Sequence, residues 1–198
     1  MVTRARKTTD ARFRVYLKRP AVRDAAAFIA AVDASRRLHG RWVSAPSTRI
    51  AFRSYASRFG KPMRDAQHVG FIATRVEDDA PVGVLNLSEI VRGAFQSAYL
   101  GYYAFAPHAG KGYMTEALAL LLDAAYRDIG LHRVEVNVQP SNVHSLDLVR
   151  RIGFAREGYS RRYVKIAGRW RDHVRFAMLA EDWPASRRRA IGRLLKER

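Results

Sequence analysis

The sequence predicts a single α+β domain. Two observations support this class: segments with the alternating pattern of half-buried strands recur along the chain, and segments with helical spacing and capping residues lie between them. The 198 residues are 48% apolar, which is sufficient for one hydrophobic core. We expect this domain over residues 12–183, with a basic extension over 1–11 and a basic, mobile tail over 184–198.

The first part of the chain predicts one strand followed by two helices. Residues 12–18 alternate polar and apolar side chains, which favours a half-buried strand. Residues 21–38 have helical spacing after Pro20, and a glycine follows them. Ser47 or Thr48 can cap a second, shorter helix that ends near Gly60.

The middle of the chain predicts three strands and then a helix. Residues 68–76 and 81–91 are rich in β-formers with a turn between them, and residues 94–105 form a third such segment. Helical spacing then begins at Gly112, and we expect Gly130 to be the C-cap of that helix.

The last part predicts a strand, a helix and a hairpin. Residues 132–139 alternate again, and Ser141 or Asn142 can cap a helix that Gly153 closes. Residues 158–179 read as two strands joined at Ala167-Gly168. The predicted order is therefore β-α-α-β-β-β-α-β-α-β-β.

The composition is strongly basic, with 36 Lys and Arg against 18 Asp and Glu and a formal net charge of +18. The excess is concentrated in residues 1–19, in residues 150–175 and after Pro184. Such a charge favours association with polyanions such as ribosomal RNA. A solvated, arginine-rich surface with no partner is an equally open interpretation.

Several function classes are excluded or disfavoured by composition. The chain has no cysteine, so disulfides, thiolate zinc sites and cysteine nucleophiles are excluded. The six histidines are scattered without ligand spacing, and we expect no metal site. Since neither a long apolar run nor a signal-peptide pattern occurs, we expect a cytoplasmic protein without a membrane partner.

A glycine-rich loop follows the predicted third middle strand and opens a helix. Its sequence is Ala109-Gly110-Lys111-Gly112-Tyr113. Glycines allow close approach of the backbone to an anion, and the free N–H groups at a helix start point at it. Alone, this pattern predicts a phosphate-binding loop that fits many nucleotide-like ligands.

Four segments together resemble the GNAT family of N-acetyltransferases, and within it the ribosomal-protein-alanine N-acetyltransferases of the RimJ/RimL type. The resemblance covers about residues 12–183 and is carried by GKGYMTEAL, PSNVHS, GFAREGY and GRWRDHV. It implies a central mixed, mostly antiparallel sheet flanked by helices. One departure is Pro107, which stands where the family usually has Gln or Arg.

The resemblance implies that acetyl-coenzyme A donates an acetyl group to a primary amine by direct attack in a ternary complex. The acceptor would be a protein N-terminal α-amine, such as that of a ribosomal protein. The implied coenzyme-binding residues are Phe105, Gly110, Lys111, Gly112, Tyr113, Met114, Asn142 and Ser145.

Two of these residues carry the implied chemistry. Asn142 would bond the pantetheine arm or the intermediate, and Ser145 would protonate or hydrogen-bond the leaving sulfur. Their i, i+3 spacing places both on one helix face. The plainer interpretation is that Asn142 is only an N-cap and Ser145 an exposed helix residue.

The sequence leaves the general base open. Glu135 lies on the polar side of a predicted strand, and Glu89 ends another one near the expected acceptor side. Either carboxylate can accept the proton of the amine, directly or through water, or can simply be ion-paired. Glu116 is expected to stabilise the start of its helix. Aromatic residues that could line an acceptor groove, without a firm assignment, are Trp42, Tyr102, Tyr103, Tyr163 and Trp170.

Two other functions remain open. One is acetylation of a small-molecule amine such as an antibiotic, a polyamine or an amino acid, although a basic surface disfavours free polycations. The other is a basic RNA- or ribosome-binding module without catalysis. The chain can be a monomer or a homodimer formed through the final hairpin.

Overall fold

The computed structural model describes residues 10–40, 42–63 and 65–196, so most of the expected extension over 1–11 lies outside the described residues. Seven strands form one sheet in the order β1-β2-β3-β4-β5-β7-β6. The strands are β1 Val15–Lys18, β2 Val69–Arg75, β3 Pro81–Val91, β4 Ser97–Ala104, β5 Arg133–Val138, β6 Ala155–Ile166 and β7 Arg169–Leu179. Neighbouring strands pair antiparallel except β4 and β5, which are parallel. The predicted mixed, mostly antiparallel sheet is therefore confirmed.

Helices cover both faces of this sheet. They are α1 Ala25–Ala34, α2 Arg36–His39, α3 Arg49–Phe59, α4 Tyr113–Arg127, α5 Val143–Ile152 and α6 Trp183–Lys196. The apolar side of α4, α5 and α6 packs in one large core, whereas α1 and α3 pack in a smaller aromatic core. The smaller core includes Phe28, Phe52 and Phe105, each fully buried.

The helix ends follow the predicted capping with two differences. Thr48 accepts a hydrogen bond from the Ala51 N–H at 3.1 Å, and Gly153 ends α5 in the left-handed conformation. The helix predicted over 21–38 is broken at Ser35, because its hydroxyl donates to the Ala31 carbonyl and accepts from the Ala106 N–H. The C-cap of α4 is Asp128, and Gly130 lies in the turn beyond it.

The prediction of a mobile tail over 184–198 is wrong for most of that segment, which forms α6. The buried side chains Trp183, Ala190, Ile191 and Leu194 have helical spacing and lie in the large core with α4 and α5. The Trp183 indole N–H donates to Asp123, and the Arg187 guanidinium bridges Asp123 and Asp10. The arginines between the apolar positions make this segment strongly basic, which is why its sequence predicted a tail and not an amphipathic helix.

No helix in the described ranges is both long and apolar enough to cross a membrane. Those ranges also contain no group of three or more metal-ligating side chains.

Candidate active site

The candidate site is a fork between the two parallel strands of the sheet. β4 and β5 pair only from Ser97 opposite Arg133 to Tyr99 opposite Glu135. Beyond this point β4 continues to Ala104 and β5 continues to Val138, but the two strands no longer pair with each other. Because the strands are parallel, their carboxyl ends meet at the open end of the fork, where the glycine-rich loop and the start of α5 lie.

The loop at the open end has the conformation of an anion-binding device. Gly110 and Gly112 have φ values of 76° and 80°, which favour glycine. Gly112 is the N-cap of α4, whose first N–H groups have no intrahelical acceptors. A Cβ at Gly110 would meet no heavy atom within 4 Å, so the loop is open to a ligand there. These donors fit the pyrophosphate of coenzyme A.

An ion pair between Arg14 and the buried Glu116 carboxylate supports the glycine-rich loop. The Glu116 carboxylate has no solvent exposure and accepts hydrogen bonds from the Arg14 backbone N–H at 2.6 Å and from its Nε at 2.9 Å. Arg14 Nη2 also donates to the Lys111 carbonyl at 2.8 Å, and its guanidinium lies 4.4 Å from the centre of the Tyr113 ring. We call this set the Arg14 clamp. It fixes the Lys111 carbonyl of the loop through a hydrogen bond.

The remaining loop residues have mainly internal contacts. Lys111 Nζ donates to the Pro107 carbonyl at 3.1 Å across the loop. The Met114 side chain lies over Gly83, where a Cβ would come within 2.4 Å of its sulfur. Burial, together with Arg75 and Lys111, lowers the pKa of His108. Contacts of these side chains with a coenzyme stay predictions.

Phe105 has mainly internal contacts. Its ring is fully buried in the smaller core. Its N–H donates to the Val82 carbonyl at 2.9 Å, and its carbonyl accepts from the His108 N–H at 3.1 Å. The ring packs in the protein interior, and a contact of Phe105 with a coenzyme stays a prediction.

The start of α5 brings a serine and a tyrosine together at the fork. Asn142 caps the helix, with Oδ1 accepting from the Ser145 N–H at 3.2 Å. The Ser145 hydroxyl lies 2.6 Å from the Tyr102 hydroxyl, which projects from β4. Burial raises the pKa of Tyr102 to about 12, against a smaller lowering by the bond to Ser145. The phenol is therefore neutral at physiological pH and can donate a proton or a hydrogen bond.

The two candidate bases differ in position. Glu135 lies at the base of the fork, opposite Tyr99, and accepts a hydrogen bond from Arg133 Nε at 2.9 Å. Val134 and Val136 face the large core, so Glu135 projects from the other side of the sheet. Ser88 pairs with Tyr99, which places Glu89 on the closed side of the fork, exposed in a bulge of β3.

Sequence reasoning missed two features that bear on this site. The Arg14 clamp joins residues 102 positions apart, and the only signal was a charged residue, Glu116, among the apolar positions of α4. Tyr102 was offered only as a groove residue, because its contact with Ser145 depends on how far β4 and α5 approach in the fold.

Fold and site together define an acetyltransferase domain. The acetyltransferase (GNAT) domain family matches residues 14–155, which is more than half of the chain, and the chain belongs to this family. The resemblance expected from the sequence is confirmed. The family assigns the domain to enzymes that transfer an acetyl group to an amine, with acetyl-coenzyme A as the donor.

Particular relatives are similar over parts or most of the chain. A probable N-acetyltransferase of Bacillus subtilis, YjcK, is 44% identical over 53% of this chain and 58% of its own length. The [ribosomal protein uS5]-alanine N-acetyltransferase of Escherichia coli is 43% identical over 54% of this chain and 55% of its own. The chain thus spans little more than half the length of these curated relatives.

The similarity to a solved structure extends further. RimJ of Mycobacterium smegmatis in complex with CoA-disulfide superimposes with a TM-score of 0.81 at 30% identity. The match covers 92% of this chain and 88% of that structure. The fold expected from the sequence is therefore confirmed over nearly all of the chain.

Proposed function

We propose that this chain is an acetyl-CoA-dependent N-acetyltransferase that acts on a protein N-terminal α-amine, such as that of a ribosomal protein. The observation that carries the proposal is the Ser145–Tyr102 hydroxyl pair in the fork, beside the anion-binding loop. The names of the Escherichia coli and Mycobacterium smegmatis relatives support a ribosomal acceptor.

Acetyl transfer from a thioester to an amine requires a neutral amine, a stabilised oxyanion and a protonated or neutralised thiolate. Acetyl-coenzyme A supplies the activated acetyl group. In our proposal the N–H groups at the start of α4 hold its pyrophosphate, and the Arg14 clamp keeps them oriented. The free edges of β4 and β5 beyond Tyr99 receive the pantetheine arm.

The two sides of the fork have different roles in our proposal. Ser145, hydrogen-bonded to neutral Tyr102, donates a hydrogen bond to the leaving thiolate on the side of α5 and stabilises its charge until it takes a proton from water. Glu135 projects from the opposite side and accepts the proton of the incoming amine, directly or through one water. The amine attacks the thioester directly, which agrees with a chain that has no cysteine nucleophile.

The charge of the chain, as well as the names of the relatives, supports the proposed ribosomal partner. A formal net charge of +18 disfavours free polycationic acceptors and favours a target that is presented on RNA, as ribosomal proteins are.

The test is an acceptor screen with thiol detection. Because the chain has no cysteine, a thiol-reactive dye reports released coenzyme A without background from the enzyme. We expect release with peptides that carry ribosomal N-termini and little release with polyamines, aminoglycosides or free amino acids. Faster release with a small amine would overturn the proposed acceptor. If calorimetry detected no binding of acetyl-CoA, the proposal that the chain is an acetyl-CoA-dependent enzyme would be overturned.

A further inference from the structure

The β6–β7 hairpin projects from one end of the sheet and carries a concentrated positive charge. β6 is the edge strand, and most of its side chains are exposed or half-buried along its whole length. Residues 155–179 contain seven Arg and Lys against two acidic residues. Six of the basic side chains are exposed: Arg156, Arg161, Arg162, Lys165, Arg169 and Arg175.

The two acidic residues of the hairpin have close partners of their own. Glu157 is ion-paired with Arg133 of β5, which lowers the pKa of the Glu157 carboxyl. Asp172 accepts hydrogen bonds from the Tyr159 hydroxyl at 2.5 Å and from the Arg162 backbone N–H at 2.7 Å. These bonds hold the two strands together and leave the outer part of the hairpin with a strong positive field.

Exposed aromatic rings accompany this charge. Trp170 is 60% exposed and lies directly opposite Lys165 in the strand pairing, so the two side chains project from the same face. Tyr159 is 47% exposed nearer the sheet. A large aromatic ring in water beside ammonium and guanidinium groups is the chemistry that stacks a nucleic acid base and binds its phosphate.

We propose that the β6–β7 hairpin binds single-stranded RNA, with Trp170 stacking on an unpaired base and Arg161 and Lys165 contacting phosphates. The inference rests on the proposed function for its setting, since a ribosomal acceptor is surrounded by RNA. RNA binding itself can be measured without any acetyl transfer.

A second copy of the chain fits the hairpin less well. An exposed edge strand can pair with another strand, but here two such edges would bring like charges together. The edge is also interrupted by register shifts between Arg156 and Gly158 and between Ser160 and Val164. Bulges and charges of this kind prevent edge-to-edge pairing.

Two other basic surfaces among the described residues, on α6 and on α3, lack this combination. Arg187 of α6 is held by Asp10 and Asp123 against the domain. Arg49 and Arg53 of α3 are exposed, but their exposed apolar neighbour is Ile50 rather than an aromatic residue. The α3 pair therefore provides a matched control with the same change in charge.

The test is the binding of a fluorescent, mixed-sequence single-stranded RNA of about 12 nucleotides, measured by anisotropy at several salt concentrations. We expect Arg161→Gln/Lys165→Gln to weaken binding at least tenfold and to reduce the salt slope by about 1.4, since two phosphate contacts are lost. Trp170→Ala should weaken binding about tenfold and leave the salt slope unchanged. Arg49→Gln/Arg53→Gln should change affinity less than threefold.

Distinct results would overturn the inference. Equal weakening in the α3 control would show that only total charge matters, and tighter binding of a poly-glutamate peptide would indicate an acidic protein partner. Dimerisation that the hairpin variants abolish would indicate a second copy. If the wild-type protein bound RNA through the hairpin but released no coenzyme A with any peptide, the proposed function would fail and this inference would stand.

Discussion

The two sides of the fork differ in how many internal contacts support them. On the side where we propose that the donor binds, the Arg14 clamp supports the glycine-rich loop beside Leu194 of α6, and the hydroxyl pair joins β4 and α5. On the proposed acceptor side, the sheet face around Glu135 leads to an exposed, basic hairpin. A coenzyme that never changes suits a preformed site, whereas a protein acceptor suits an open surface.

The largest effect is expected from breaking the clamp. Arg14→Met removes the guanidinium that is ion-paired with the buried Glu116 carboxylate, which should cost about 3 kcal/mol of unfolding free energy. We also expect a raised KM for acetyl-CoA, because the Lys111 carbonyl loses its donor. Chemical denaturation and initial rates measure the two effects. The double variant Arg14→Met/Glu116→Gln should recover part of the stability, and failure to do so would contradict the assignment of the cost to a buried charge.

The hydroxyl pair should affect turnover more than binding. Ser145→Ala is expected to lower kcat about a hundredfold with little change in the KM for acetyl-CoA. Tyr102→Phe should lower kcat about tenfold, since Ser145 remains but loses its partner. Because the pKa of Tyr102 is about 12, the wild-type rate should show no alkaline decline from this group up to about pH 10. Equal kcat in wild type and Ser145→Ala would remove the serine from the mechanism.

Two glycine variants separate backbone strain from packing in the loop. Gly110→Ala and Gly112→Ala both place a side chain at positive φ, which costs about 1–2 kcal/mol. Only at Gly112 would the new Cβ overlap other atoms, 2.9 Å from Leu194 Cδ1 and 3.3 Å from Arg14 Nη2. We expect Gly112→Ala to lower the Tm more than Gly110→Ala in the absence of coenzyme. The reverse order would mean that α6 and Arg14 do not support the loop.

Variants of the two candidate bases should change kcat least, and the change should depend on pH. Glu135→Gln should lower kcat about tenfold near neutral pH, with the difference shrinking as pH rises and the amine deprotonates by itself. Glu89→Gln, on the closed side of the fork, should leave the profile unchanged. Glu157→Gln is the structural control, since it removes the other carboxylate bound to Arg133. If Glu157→Gln and Glu135→Gln gave the same profile, the loss would come from Arg133 and not from a missing base.

Local signals in the sequence predicted most of the elements. The Thr48, Asn142 and Gly153 caps are encoded within a few residues, and so is the hairpin turn at Ala167-Gly168. The anion-binding loop was found for the same reason, since its glycines and the helix behind it are adjacent in the chain.

Long-range contacts were the part that the sequence could not predict. The sequence predicts a tail where α6 forms, because arginines stand among the buried residues on which the packing of this helix depends. Tyr102 meets Ser145 only because β4 and β5 separate, and no spacing in the sequence indicates where paired strands diverge. The positions of Glu89 and Glu135 relative to the fork likewise depend on the register of three strands.

Arg14, just before β1, and Leu194 of α6 both lie beside Gly112, since a Cβ on this glycine would stand 3.3 Å from Arg14 Nη2 and 2.9 Å from Leu194 Cδ1. We therefore expect the loop to reach its final shape only after the first strand and the last helix have both docked. The affinity for acetyl-CoA would consequently report whether both ends of the chain are folded. A chain with a frayed end would keep most of its circular dichroism signal yet bind acetyl-CoA poorly. Saturating acetyl-CoA should in turn protect the amides of β1 and α6 from hydrogen exchange.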